Sequence, residues 1–171
     1  MLIVFSGLPG TGKTMLGREL ARKLSALYLR IDTLEQAILT SCVLPDPGPA
    51  GYLIGYAVAL DNLALGSTVV ADSVNPLTVT RDAWIDVAKK AEVPCFEIEV
   101  ICSDAVEHRR RVESRKADIP GHKLPNWQEV LDRQYDPWKR EHIVIDTAIV
   151  SVLQAVNEVI RQLPQPVSPK P

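Results

Sequence analysis

Eight residues near the amino terminus, Gly7-Leu8-Pro9-Gly10-Thr11-Gly12-Lys13-Thr14, have the types and spacing to hold phosphate. Their three glycines let the backbone adopt positive φ and turn several peptide N–H groups toward one anion. A helix starting near Lys13 aims its positive end at the same point. In a G-x-x-x-x-G-K-[ST] loop the lysine reaches the β- and γ-phosphates and the hydroxyl that follows, here of Thr14, is placed on Mg²⁺. The nucleotide-binding set is thus Gly7, Pro9, Gly10, Thr11, Gly12, Lys13 and Thr14, with ATP and Mg²⁺ as cofactors. The other reading of such a stretch is a glycine-rich turn with a surface lysine. The flanks argue against it: an apolar Leu2-Ile3-Val4-Phe5 run precedes the loop and a helical apolar spacing follows.

Phosphoryl transfer needs charge positioned around the moving group more than it needs covalent chemistry. Two aspartates end apolar runs and fall where ligand crevices lie in open α/β sheets: Asp32 after Tyr28-Leu29-Arg30-Ile31, and Asp72 after Val69-Val70-Ala71. One suits a general base near an acceptor hydroxyl and the other a place near Mg²⁺. Asp32 is the better base and Asp72 the better metal neighbour, and both are read as touching substrate. The competing role for each is a helix cap or turn aspartate. Arg111 and Arg115 lie four apart in a basic helical segment and share a face, so both are candidates for the β- and γ-phosphates. Arg109 and Arg110 read as solvated partners of Glu107 and Glu113. Arg81 opens a helix, the wrong end for a cation, which suggests an anionic substrate partner. His108, His122 and His142 lack metal-ligand spacing, and Trp127, Tyr135 and Trp138 read as packing residues.

These residues must be held by alternating elements. Strands are expected at 2–5, 28–31, 68–71, 95–101 and 143–146, with the fourth less central because its residues alternate. Helices are expected at 13–26, 34–40 (capped by Thr33), 52–65, 77–91, 104–116, 127–135 and 147–163. Gly55 weakens the third helix, Gly66 suits its end, and Asn126 with Glu129 forms a capping box. Strand–helix alternation predicts a three-layer α/β/α P-loop NTPase fold around a five-stranded parallel sheet. One domain spans 1–163, with a mobile lid over about 108–126 and an insert-like stretch over about 34–66. Residues 164–171 form a proline-rich tail expected to be disordered.

The 171 residues, 46% hydrophobic and 23% charged, fit one soluble α/β domain. A net charge of -2 disfavours general nucleic-acid binding, and no apolar run is long enough to span a bilayer. The amino terminus enters a strand directly without an export signal, so a cytoplasmic protein is expected. Cys42, Cys95 and Cys102 lack paired spacing and read as reduced thiols; nothing in the sequence specifies an oligomer.

GLPGTGKT at 7–14, RIDT at 30–33, VVADSVNP at 69–76 with Arg81 after it, RVESR at 111–115 and IVIDT at 143–147 together carry a resemblance. The chain resembles the P-loop kinases that include adenylylsulfate kinase, polynucleotide 5′-kinase, gluconate kinase, chloramphenicol phosphotransferase and zeta-toxin-type kinases. It looks most like members labelled adenylylsulfate kinase-like or AAA-family ATPase. The resemblance implies transfer of the ATP γ-phosphate to a hydroxyl of a small molecule or nucleotide. It further implies Asp32 as base, Asp72 near substrate and metal, Arg111 and Arg115 as lid arginines, and the stretch over about 34–66 as the substrate-specificity insert of a kinase domain. The aspartate-glycine-aspartate-asparagine run of true adenylylsulfate kinases is replaced by Arg30-Ile31-Asp32-Thr33, and no Asn-Lys-x-Asp guanine motif is present. Two other functions fit the same residues: a nucleotide-binding ATPase or regulatory module without an acceptor, and a toxin-like sugar-nucleotide kinase.

Overall fold

The computed structural model describes residues 1–41 and 45–164. The elements run β1 (Leu2–Ser6), α1 (Lys13–Leu24), β2 (Leu27–Arg30), α2 (Ile31–Thr40), α3 (Ala50–Ala64), β3 (Val69–Asp72), α4 (Thr78–Lys90), β4 (Cys95–Ile101), α5 (Ala105–Ser114), α6 (Trp127–Leu131), β5 (Ile143–Asp146) and α7 (Val152–Gln162). All strand pairs are parallel, in the order β2-β3-β1-β4-β5. The chain has the expected five-stranded α/β/α architecture.

β1 is fully buried because both its faces are covered. Ile3 and Phe5 point into a cluster with Leu16 and Leu20 of α1 and Val156 and Val159 of α7. Leu2 and Val4 point the other way, against Leu63 of α3 and Trp84 and Val87 of α4. Strand alternation thus builds two cores from one apolar run. Gly55 contributes by lacking a side chain: an added Cβ would come 2.5 Å from Ile31 Cδ1, so this glycine lets α3 lie close to α2.

Several boundaries differ from the sequence reading. β4 is an interior strand, not a peripheral one, since it pairs with both β1 and β5. Its alternation arises because Glu97 and Glu99 meet polar side chains rather than solvent: Arg140 Nη2 donates to Glu97 Oε1 at 2.7 Å, and His142 Nε2 lies 3.1 Å from Glu99 Oε2. α2 begins at Ile31, so Asp32 sits in the first helical turn and Thr33 is not a cap. α1 stops at Leu24, where Ser25 turns left-handed at φ 50°; α6 keeps its Asn126–Glu129 capping box but ends at Leu131. α7 starts only at Val152, behind a Ser151–Gln154 capping box. Cys42 and the tail beyond Pro164 lie outside the described residues. Among the described residues, no helix is long and apolar enough to cross a membrane.

Candidate active site

β1 delivers its loop to the carboxyl edge of the sheet, where Gly7, Gly10 and Gly12 take φ of 135°, 88° and 96°. At Gly10 the requirement is doubled, because a Cβ would also come 2.5 Å from Val112 Cγ2 on α5. The loop is braced from inside and outside. Thr11 Oγ1 and Lys13 Nζ each donate to Leu8 O at 2.9 Å, and His108 Nε2 lies 2.9 Å from Pro9 O. Pro9, Gly10, Gly12, Lys13 and Thr14 face a cavity of about 1120 Å³. Gly7 and Thr11 shape the loop from behind it. Burial pushes the Lys13 ammonium down to about 8 even though Asp72 and Asp32 pull the other way. A lysine held this dry gains most from an arriving polyphosphate.

Strand register sets the next residue. Asp72 is opposite Phe5 of β1 and Arg30 of β2, at the end of both ladders. It is 2% exposed, and its Oδ2 accepts from Thr14 Oγ1 at 2.8 Å and from Tyr28 Oη at 2.6 Å. Burial first, and then the Asp72 charge, push the Tyr28 phenol up, so it stays a donor to Asp72. Thr14 and Asp72 present two hard oxygens on the cavity wall, the donor type that Mg²⁺ takes when it binds a P-loop hydroxyl, a carboxylate, phosphate oxygens and water. The two oxygens line the cavity together beside Lys13, a donor set that suits such an ion.

Asp32 lines the same cavity from α2. Its Oδ2 accepts from Arg30 Nε at 3.2 Å and Nη2 at 3.1 Å. Arg30 also donates twice through Nη1 to Asp118, at 3.0 and 2.8 Å, and Arg18 Nη2 reaches Asp118 Oδ2 at 2.6 Å. Burial alone would lower the Arg30 pKa, but Asp118 and Asp32 together hold it above its ordinary value. The segment after α5 is thereby fastened across the cavity by Asp118.

The two candidate lid arginines differ. Arg111 lines the cavity and is held in place by three of its five N–H groups: Nε donates to Glu107 at 2.8 Å, Nη1 to Thr147 Oγ1 at 2.7 Å and Nη2 to Thr147 O at 3.1 Å. Thr147 Oγ1 in turn lies 2.8 Å from Thr11 O, so Arg111 buttresses the loop through β5. Arg115 has buried Nε and Nη2 atoms with no partner, and burial lowers its pKa, although Asp32 opposes this. Buried polar groups are rarely left unpaired, and a guanidinium presented this way to a cavity fits an anion.

Arg81 is elsewhere. It is 2% exposed and does not line the cavity; Nε donates to Asn75 O at 2.9 Å, Nη1 to Asp136 O at 3.0 Å and Nη2 to Pro76 O at 3.3 Å. Its guanidinium carbon lies 4.7 Å from the Tyr135 ring centre and 4.2 Å from that of Trp138. The anion expected at this helix start is replaced by three carbonyl oxygens and two aromatic faces. The Asn75-Pro76 turn it holds is a structural hub: Asn75 donates to Phe5 O at 2.9 Å and accepts from Trp84 Nε1 at 3.1 Å.

The sequence reading did not single out Tyr28, Glu35, Ser73, Asp118 or Arg133, and all but Tyr28 line the cavity. They come from strand, helix and loop positions with no motif around them. Only the strand-end place of Ser73, next to Asp72, offered a signal.

The model of the AAA domain family matches residues 2–136. The chain belongs to the AAA domain family. No curated protein matches it significantly. Among solved structures, this AAA domain is similar to the Mycobacterium tuberculosis APS kinase CysC in complex with AMPPNP and APS, at 22% identity and TM-score 0.70, covering 94% of this chain and 95% of that one. It is also similar to Chaetomium thermophilum Kti12 in complex with ADP-AlF3, at 23% identity and TM-score 0.67, with 94% and 98% covered. A Sinorhizobium meliloti gluconokinase matches at 19% identity and TM-score 0.61, with 93% and 89% covered. At such identities the likeness is one of fold, the P-loop kinase fold.

Proposed function

We propose that this AAA domain protein is an ATP- and Mg²⁺-dependent phosphotransferase that moves the γ-phosphate to a hydroxyl of a small molecule or nucleotide. One observation carries the reading. A single cavity holds the phosphate loop, the Thr14–Asp72 oxygen pair, an unpaired Arg115 guanidinium and, across from them, the Asp32 carboxylate. A site built for hydrolysis alone has no need of room and a carboxylate beyond the γ-phosphate.

In this reading the loop N–H groups, Lys13 and Arg115 hold the phosphate oxygens. Thr14 and Asp72 would hold Mg²⁺, which when bound neutralises phosphate charge. Asp32 accepts the acceptor's proton as the new bond to the γ-phosphorus forms and the bond to the bridging oxygen breaks, releasing ADP. Arg30 keeps the Asp32 carboxylate oriented, and Asp118 draws the lid segment over the reactants.

The test is ADP release with and without a broad set of acceptor alcohols, in wild type and Asp32→Asn. Acceptor-stimulated release that falls by about 10²-fold or more in the variant, with ATP affinity kept, is the expected outcome. Turnover indifferent to every acceptor favours the regulatory-module reading instead, and a fully active variant removes Asp32 as base.

A further inference from the structure

On the acceptor side of the cavity, two polar groups besides Arg115 are under-satisfied among the described residues. Ser73 Oγ is buried with no well-formed hydrogen bond, its polar neighbour being the Tyr52 hydroxyl, in a residue only 4% exposed. Glu35, partly buried on α2, makes no hydrogen bond or ion pair. Its position is enforced nonetheless. A Cβ on Gly51, in the first turn of α3, would overlap Glu35 Cγ, so α3 seats the glutamate stem where only glycine leaves room. Burial, and next the nearby Asp32 charge, push its carboxyl up to about 7 against the pull of Arg133, so a side chain that the fold has fixed bears a desolvation cost only partly offset.

Asp32 is one helical turn before Glu35 and lines the same wall. Arg30 occupies only its Oδ2 and does not engage Oδ1 of this cavity-lining residue. Side chains three apart on a helix have Cβ atoms about 5–6 Å apart. Two O–H···O bonds of about 2.7 Å, from hydroxyls on adjacent carbons, suit that gap. A lone hydroxyl leaves one carboxyl without a donor. A cationic amine would satisfy both carboxyls but meets Arg30, Arg115 and Arg133 on the same wall, so a neutral polyol is the better match.

We propose, building on the kinase reading above, that the acceptor is bound through a vicinal diol: Asp32 takes the hydroxyl that is phosphorylated, while Glu35 and Ser73 hold its neighbour. Glu35 is then a specificity-determining residue that touches substrate, and Gly51 a positioning residue that acts through it. The proton of the reacting hydroxyl goes to Asp32 as described; the second hydroxyl keeps its own.

The experiment supplies ATP and Mg²⁺ with matched pairs that differ by one hydroxyl and of which only one member holds a vicinal diol: ribonucleosides and 2′-deoxyribonucleosides, glycerol and 1,3-propanediol, 1,2-cyclohexanediol and cyclohexanol. Phosphorylated product is read by ³¹P NMR and mass spectrometry. Expected are preference for the vicinal diol of at least about tenfold in kcat/KM, and a Glu35→Gln variant whose diol KM rises at least about tenfold while its ATP KM is unchanged. Gly51→Ala, confirmed folded by wild-type ATP binding, should shift the diol KM in the same direction; should it not fold, Glu35→Gln decides alone. Equal use of both members of each pair, or an unchanged diol KM in Glu35→Gln, overturns the diol assignment and leaves the kinase reading standing. No phosphorylation of any alcohol, with ATP still hydrolysed, overturns the kinase reading and this inference with it.

Discussion

The two halves of the cavity are built on different principles. Around the phosphate loop nearly every polar group already has a partner: Lys13 and Thr11 bond Leu8 O, His108 meets Pro9 O, Thr14 and Tyr28 bond Asp72, and Arg111 is braced by Glu107 and Thr147. Toward α2 the wall instead presents groups whose hydrogen bonding is incomplete among the described residues: Glu35, Ser73 Oγ and two Arg115 nitrogens. A phosphate site can be pre-assembled from backbone because its ligand is the same in every nucleotide. An acceptor site carries its specificity in side chains whose hydrogen bonds are completed only by the right molecule. Arg81 and Arg115 sharpen the contrast within one residue type, one consumed by the fold and the other left open to the cavity.

Changes to the saturated half should do most harm. Lys13→Ala is expected to lower turnover by on the order of 10³ and to weaken ATP binding, read by calorimetry and steady-state kinetics. The arginine contrast comes next. Arg81→Met should cost on the order of 3 kcal/mol in urea unfolding, because it leaves the buried Asn75 O and the partly buried Asp136 O without their guanidinium donor and removes the charge from between two aromatic rings, yet leave the ATP KM in place. Arg115→Met should do the reverse, with stability unchanged or slightly higher and transfer reduced about 10²-fold. If the two variants behave alike, the distinction fails. Tyr28→Phe removes a donor behind Asp72 and should raise the Mg²⁺ concentration for half-maximal turnover about tenfold, with little change at saturating Mg²⁺.

The smallest effect belongs to Glu35 and pH. Its carboxyl titrates at about 7 in the fold against an ordinary 4.5. Between those values the unfolded chain has released a proton that the folded protein keeps. The wild type is therefore favoured at the acid end and loses stability as pH rises through the window. Glu35→Gln abolishes that slope, so its urea midpoint should gain on the wild type between about pH 5 and 8. A constant difference across that range would show that Glu35 is not desolvated in the fold.

The phosphate loop was legible because its chemistry is local: eight consecutive residues carry both the conformational demand and the ligand. The layered fold was legible because apolar runs and 3.6-residue spacing report burial directly. Asp72 gained its setting from strand register with β1 and β2. Arg81 was misread because the charge rule for helix ends knows nothing of Tyr135, Asp136 and Trp138, which arrive from more than fifty positions later. β4 was misplaced for a related reason, since Glu97 and Glu99 alternate like a solvent face until Arg140 and His142 cover them.

By itself, then, the sequence determined a nucleotide-binding loop at the end of a buried first strand and the alternation that makes a parallel sheet. Tertiary structure alone decided which arginine is spent on the fold and which is left to the cavity. It alone placed Glu35 over Gly51 beside Asp32, and it alone fastened Asp118 to Arg30. The first group depends on neighbours in the chain; the second depends on which side chains fill the same space, and chain order does not record that.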